Sequence, residues 1–585
     1  MQSSPKSYYF GYSKMEEGDF MTKARLFALS LTAIGALSIA SGASARITTP
    51  DAQAQAGASH SQYSALVNLF AEFRAVTADQ GVGPWPDHSP AASQRRLSEL
   101  QALQARFASL EPGSWRRSEK VDYLAVRAQM DQRDFLLQVT KPWARDPGYY
   151  IDQLQHLAYT SLPVADDEKA AFRARLEAIP AFLAQARINL DSVAADYADL
   201  AIHNLSNGDG VGHGMPYRAV EPAGLMGWYA DLEQRAATDQ PELLPAIQAS
   251  RRAIADYQDW LIRNRPAMTG KAGVGRKAYD WFLTNVRLMP YDSDQIVDLA
   301  QRELDRTWAF YVLERHRNRD LPELDLPTSA EAYHEQLAGS DALIRRWLVE
   351  EGFITIPDFV PQTWQEMGFN APWVVRRDGP MFWEQIMYRD VSPDHLHATI
   401  PGHRFDGHMA RRVTHPIRAH ISDSGRTEGW GLYVEEVPLQ LGLFDERPRT
   451  REFIYVFGLF RAARTIGDVR MQRNEMTVEQ TMEYWKTWTP FLDDNVARVD
   501  AAIYLRRPPG YGMSYTVGMF QLQKLLVDRA RQLGDQFVLK DFHDYLMRAG
   551  RLPVSLLRYD LTGYDDEISK LWDHTPLSEV DLSQD

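Results

Sequence analysis

Apolar side chains return every third or fourth residue through almost the whole chain beyond residue 45, a period that suits helices and little else. In AAFRARLEAIPAFLAQARINL, Phe172, Leu176, Ile179 and Leu183 follow one another at steps of four, three and four. On an α-helix these positions line one face. Pro180 falls inside the stripe, where it removes a backbone donor and crowds the carbonyl four residues back, so it predicts a kink. Helix punctuation is clear near the C-terminus. Thr477 with Gln480 three residues later opens TVEQTMEYW as a capping box, and Gly550 closes KDFHDYLMRAG with Pro553 just beyond. Alternating patterns are confined to Phe353–Phe359 and Trp373–Arg376, the two segments expected to form short strands. No internal repeat is present. The expected fold is mainly α: one large two-lobed helical domain with at most a small β element. Its lobes span 46–320 and 321–585 and join around LPELDLPTSAEAY, from Leu321 to Tyr333.

Of the 585 residues, 44% are hydrophobic and 24% charged, which is globular composition. The formal net charge of -14, with scattered basic residues, argues against a nucleic-acid partner. There is no cysteine, so disulfides, a thiolate nucleophile and cysteine-ligated metals are excluded. Any metal must use histidine, carboxylate and water. From Met21 the chain reads MTKARLFALSLTAIGALSIASGASA. Lys23 and Arg25 precede an apolar run from Leu26 to Ala40, and Ala43-Ser44-Ala45 forms a small-residue cleavage pattern. The apolar run is shorter than the roughly 20 residues a spanning helix needs. Residues 21–45 are therefore expected to be a cleaved secretory signal, with residues 1–20 an extension upstream of the true start. The mature protein is expected to be periplasmic or secreted, without an integral membrane segment or a cysteine-linked lipid. The glycine-rich stretch HNLSNGDGVGHGMPY, His203–Tyr217, lacks the GK[ST] and strand–helix setting of a phosphate loop and is expected to be a surface loop near a site mouth.

Chemistry concentrates in DHLHATIPGHRFDGH, Asp394–His408. In the zinc helix HExxH, two histidines at i and i+4 share a face and the intervening glutamate takes a proton from the attacking water. Here His397 and His403 are six apart, which on an unbroken helix leaves them about 120° from each other. They converge only if the helix is interrupted, and Pro401-Gly402 lies between them to do so. In TEGWGLYVEE, Glu428, Glu435 and Glu436 stand at spacings of seven and eight, so all three are expected on one face, and a glutamate on a following helix is the usual third ligand of such sites.

IPGH followed by EGWGLYVEE resembles the bacterial domain of unknown function 885 family, whose pattern is HEAIPGHH, an EGWALYAE-like helix, RAARLVVDTGLH and EVxRYxxxPGQALSYKxG. The resemblance continues through FRAARTIGD, PPGYGMSYTVG and FHDYLMRAGRLPV. It implies a mostly helical relative of zinc metallopeptidases, with His397, His403 and Glu428 as zinc ligands and Tyr515 as an oxyanion donor. The departures matter as much. Ala398 stands in place of the catalytic glutamate, Arg404 in place of a histidine, Asp406 and Tyr511 in place of glutamines, Gln472 in place of a histidine, and Ala501 near a glutamate. A positioned base contributes about 10²–10⁴-fold to rate. Two readings follow. One is a periplasmic zinc-dependent hydrolase of peptide-like or amide substrates, with Asp406 or Glu435 as a substitute base, Tyr515 on the oxyanion, and Arg404 and Tyr511 contacting substrate. The other is a catalytically inactive metallopeptidase-like protein that binds a peptide or small molecule. A third reading, in which the histidines only stabilise the fold, needs no metal.

Overall fold

The computed structural model describes residues 50–78, 83–207, 220, 222–377 and 379–582, with side chains from residue 62 onward. The segments expected to be a secretory signal and an extension before it, and most of the glycine-rich stretch, lie outside the described residues.

The described chain is almost wholly helical, and contacts of strand type are limited to two isolated bridges, Ala194 with Gly270 and Ser422 with Arg551. The stripe through Phe172, Leu176, Ile179 and Leu183 is the buried face of α1 (Asp166–Asn189), which runs through Pro180 as one element and packs on α2 (Leu244–Asn264). The two expected strands do not form. Extended backbone needs a neighbouring strand, and both segments find side chains instead. The backbone N–H and hydroxyl of Thr355 donate to Asp544 at 2.9 and 2.6 Å, and the Tyr388 hydroxyl accepts from the Val374 N–H while donating to the Pro372 carbonyl.

Seven further helices position the site: α3 (Ser293–Arg317), α4 (His403–Ala410), α5 (Ser424–Gln440), α6 (Pro448–Gln472), α7 (Val478–Trp488), α8 (Asp494–Arg506) and α9 (Met513–Leu533). Helices α5 and α6 are buried on nearly every side, as their mixed composition and lack of a single apolar stripe require of central helices. Helix α5 lies against α9, and α6 against α3. The α5–α9 approach depends on glycine: a Cβ at Gly429 would overlap the Gly518 backbone, and one at Gly518 would overlap the Gly425 carbonyl. The capping box at the start of α7 is present in both directions, Thr477 accepting from the Gln480 N–H and Gln480 from the Thr477 N–H. Gly550, with φ 85°, ends α10 (Leu539–Ala549). One continuous apolar core runs from Leu66 to Leu571.

Candidate metal centre

The helix interruption that the histidine spacing demands is present. Residues His395–Thr399 form a wide helical turn, the chain breaks across Ile400–Gly402, and α4 begins at His403. Gly402 is required here because a Cβ would overlap the His397 carbonyl. Trp430 on α5 donates its indole N–H to the Pro401 carbonyl at 2.8 Å and ties the break to the helix that carries the glutamates.

Across this break His397 Nε2 and His403 Nε2 lie 3.0 Å apart, and Glu428 Oε2 is 3.1 Å from His403 Nε2 and 3.7 Å from His397 Nε2. A tetrahedral zinc with bonds of 2.0–2.1 Å sets its ligand atoms about 3.3 Å from one another. The three donors are thus spaced as such an ion spaces them, and two imidazoles with one carboxylate are a borderline-soft set suited to zinc. His397 and Glu428 are buried. Burial alone would raise the Glu428 carboxyl, but His403 and His397 outweigh it and hold that carboxyl well below the usual range. For His397, burial and Arg461 push downward, while Glu428 and Glu435 outweigh them and raise the imidazole.

Helix α5 embraces the His397 ring. Glu428 and Glu435 are seven residues apart and so nearly eclipsed on the helix, with Gly431 between them. A Cβ at Gly431 would meet the ring at 2.5–2.9 Å, so glycine makes the room that the imidazole fills. Glu435 Oε1 lies 2.6 Å from His397 Nδ1 and 2.9 Å from Arg461 Nη2, close in distance though without the alignment of a hydrogen bond. Arg461 Nη2, 3.3 Å from the same Nδ1, would favour the opposite tautomer. Glu435 is the nearer of the two, and a proton on Nδ1 facing it leaves the Nε2 lone pair free for a metal. Glu435→Gln is expected to weaken zinc binding about 10–100-fold, measured by competition with a chelator. Unchanged affinity would show that Glu435 serves only Arg461.

The remaining residues singled out by sequence divide in two. Tyr511 donates its hydroxyl to Glu428 Oε1 at 2.8 Å, Tyr515 donates to Tyr511 at 3.4 Å, and the Tyr515 ring stacks near His397 with centroids 6.3 Å apart. Burial pushes the Tyr515 phenol up to about 12, so at neutral pH it remains a donor. Asp406 turns away, accepting from Arg551 at 2.8 Å and from Arg426 at 3.3 Å. Burial would raise its carboxyl, yet Arg426 and Arg551 outweigh burial and lower it, the reverse of what a base at neutral pH needs. Arg404 donates to the Ala398 carbonyl, to Thr399 and to Asn370. Glu436 departs from the expected common face and pairs with Arg306 of α3 at 2.9 Å. His395 bonds Asp341 at 2.8 Å, away from the centre. Sequence reading missed Arg461 and Gly431. The one available signal was Gly431 itself, a small residue one turn beyond Glu428 on the helix facing a histidine.

Comparison with known proteins agrees with this architecture. No curated protein matches the chain. Two solved structures have the same fold: the "putative lipoprotein of unknown function" from Shewanella oneidensis (17% identity, TM-score 0.64, covering 85% of this chain and 99% of that one) and the "putative lipoprotein" from Colwellia psychrerythraea (16% identity, TM-score 0.64, covering 88% and 100%). The family described as "Bacterial protein of unknown function (DUF885)" matches residues 74–313 and 395–561, and the chain, mainly helical over its described residues and with a His-His-Glu group able to hold a metal ion, belongs to it.

Proposed function

We propose that the chain is an exported zinc-binding protein that holds a peptide-like ligand at His397, His403 and Glu428 and lacks the base for efficient hydrolysis. The observation that carries this reading is the state of the carboxylates around Ala398. Asp406 is committed to two arginines, Glu435 faces the far nitrogen of His397, and Glu436 is paired with Arg306. Asp394, the carboxylate one turn before Ala398, accepts from Asn370 at 2.9 Å, so each of these four described carboxylates is already engaged away from the point where the three ligand atoms converge. Zinc in this centre supplies a Lewis acid that polarises a ligand carbonyl. The chain's own residues do the rest: Glu435 fixes the His397 tautomer, Tyr511 orients Glu428, and the Tyr515 hydroxyl, which donates to Tyr511, is the phenol that would turn to an anionic oxygen. That donor pair favours the second reading, a slow hydrolase of peptide-like or amide substrates. Export is supported by the leader pattern at residues 21–45 and by the descriptions of the two solved relatives. Among the described residues no helix is long and apolar enough to cross a membrane.

Metal analysis of the full chain, with and without His403→Ala, tests the reading alongside a peptide-library assay. About one zinc per chain is expected, lost in the variant, with the library left uncut. Cleavage by the wild type that His397→Ala abolishes would favour the hydrolase, and absence of stoichiometric metal would overturn both.

A further inference from the structure

Among the described residues, the charged side chains around the centre have hydrogen-bonding or ionic partners, with Arg507 the exception. Arg461 faces Glu435 at 2.9 Å, Arg464 faces Asp500 at 2.8 Å, and Arg426 and Arg551 share Asp406. Glu428 is taken up by both histidines and by Tyr511. Arg507, the residue that closes α8, has no such partner: among the described residues its guanidinium makes neither an ion pair nor a hydrogen bond. Its guanidinium carbon lies over the Tyr511 ring, 4.5 Å from the ring centre, and the residue is half-buried. The hydroxyl of that same ring bonds Glu428, so one phenol separates the unmatched cation from the candidate zinc ligands.

A guanidinium partly withdrawn from water without an acceptor is costly, and stacking on an aromatic face returns only part of that cost. Its planar fork is suited to two parallel bonds from a carboxylate, and such bonds strengthen where solvent is partly excluded. We propose that Arg507 receives a carboxylate of the ligand whose carbonyl lies at His397, His403 and Glu428; this rests on the reading that the centre takes a peptide-like ligand. An extended peptide advances at most about 3.3–3.6 Å per residue, so a carboxylate within a few residues of that carbonyl spans the one phenol between the two sites. Both a free C-terminus and an acidic side chain near the C-terminus offer this chemistry.

The test uses the full chain and three N-acetylated tripeptide pools: one without Asp or Glu and with a free C-terminus, the same pool amidated, and an amidated pool ending in Glu. Binding is read by calorimetry on zinc-loaded and on chelator-treated protein, for wild type, Arg507→Gln and Arg507→Lys. Wild type is expected to prefer a carboxylated pool over the plain amide by about 10–100-fold, the range of a charged hydrogen bond. Arg507→Gln should abolish that preference without lowering zinc content or melting temperature, and Arg507→Lys should restore part of it. Which carboxylated pool wins identifies the source of the carboxylate. Equal binding of all three pools, no binding of any, or an undiminished preference in Arg507→Gln overturns the proposal. Because zinc content is measured on the same samples, failure of the metal centre is distinguished from failure of the arginine.

Discussion

Ala398→Glu is expected to raise peptide hydrolysis by about 10²–10⁴-fold over the wild-type chain, the contribution of a positioned general base. Ala398 directly follows His397 on the wide turn that carries both, and its side chain is buried beside the centre. The ligand spacing, the Glu435 contact and the Tyr511–Tyr515 donor pair are already in place. The missing element is a carboxylate on that turn. One neighbour competes for it: Arg404 reaches the Ala398 carbonyl at 3.2 Å and is positioned to capture a new carboxylate as an ion pair. The double variant Ala398→Glu, Arg404→His removes that competitor and is expected to be the more active of the two. The readout is cleavage of a peptide library by zinc-loaded protein. If both variants bind zinc and neither cleaves, the absent base is not what separates this chain from a hydrolase.

Much of this molecule is legible in its sequence where the determinants are local, and less so where they are tertiary. The stripe of α1 and the capping box of α7 depend on residues three or four apart, so reading them needs no knowledge of the fold. The break between His397 and His403 was likewise legible, since Pro401 and Gly402 state their own backbone preferences. The expected strands at Phe353–Phe359 and Trp373–Arg376 failed because the pattern of residue types is not matched by alternate burial: Phe353 and its neighbour Ile354 are both buried, Phe359 and Val375 are exposed, and Asp544 and Tyr388 take up the backbone groups that a neighbouring strand would bond. The partners of Asp406 were hidden because Arg551 is 145 residues away. Glu435 and Glu436 show the limit of helical spacing: one residue and about 100° separate a carboxylate against the His397 ring from one on Arg306 of a different helix.

Asp468→Asn is expected to flatten the pH dependence of stability. Asp468 is fully buried near the C-terminal end of α6, where it accepts the backbone N–H groups of Gly512 and Met513 at 2.9 and 3.3 Å and so caps the start of α9, the helix that carries Tyr515. Burial raises its carboxyl to about 7, with the two backbone bonds and Arg287 pulling only partly the other way. The unfolded chain returns it to the ordinary value of 3.8. Between these values the folded state holds a proton that the unfolded state releases, so the linkage favours folding fully below pH 3.8. That contribution is lost progressively as pH rises to about 7 and stays constant above it. A shift of about three pKa units corresponds to roughly 4 kcal/mol. Asparagine is neutral at every pH and can still accept both N–H bonds through its amide oxygen. Urea unfolding of the full chain at pH 5 and pH 8 should therefore show the variant gaining on the wild type at pH 8 by up to that amount, with the two closer at pH 5. A difference independent of pH would mean that Asp468 is ionised in the fold throughout, its charge held by the α9 N–H groups and Arg287.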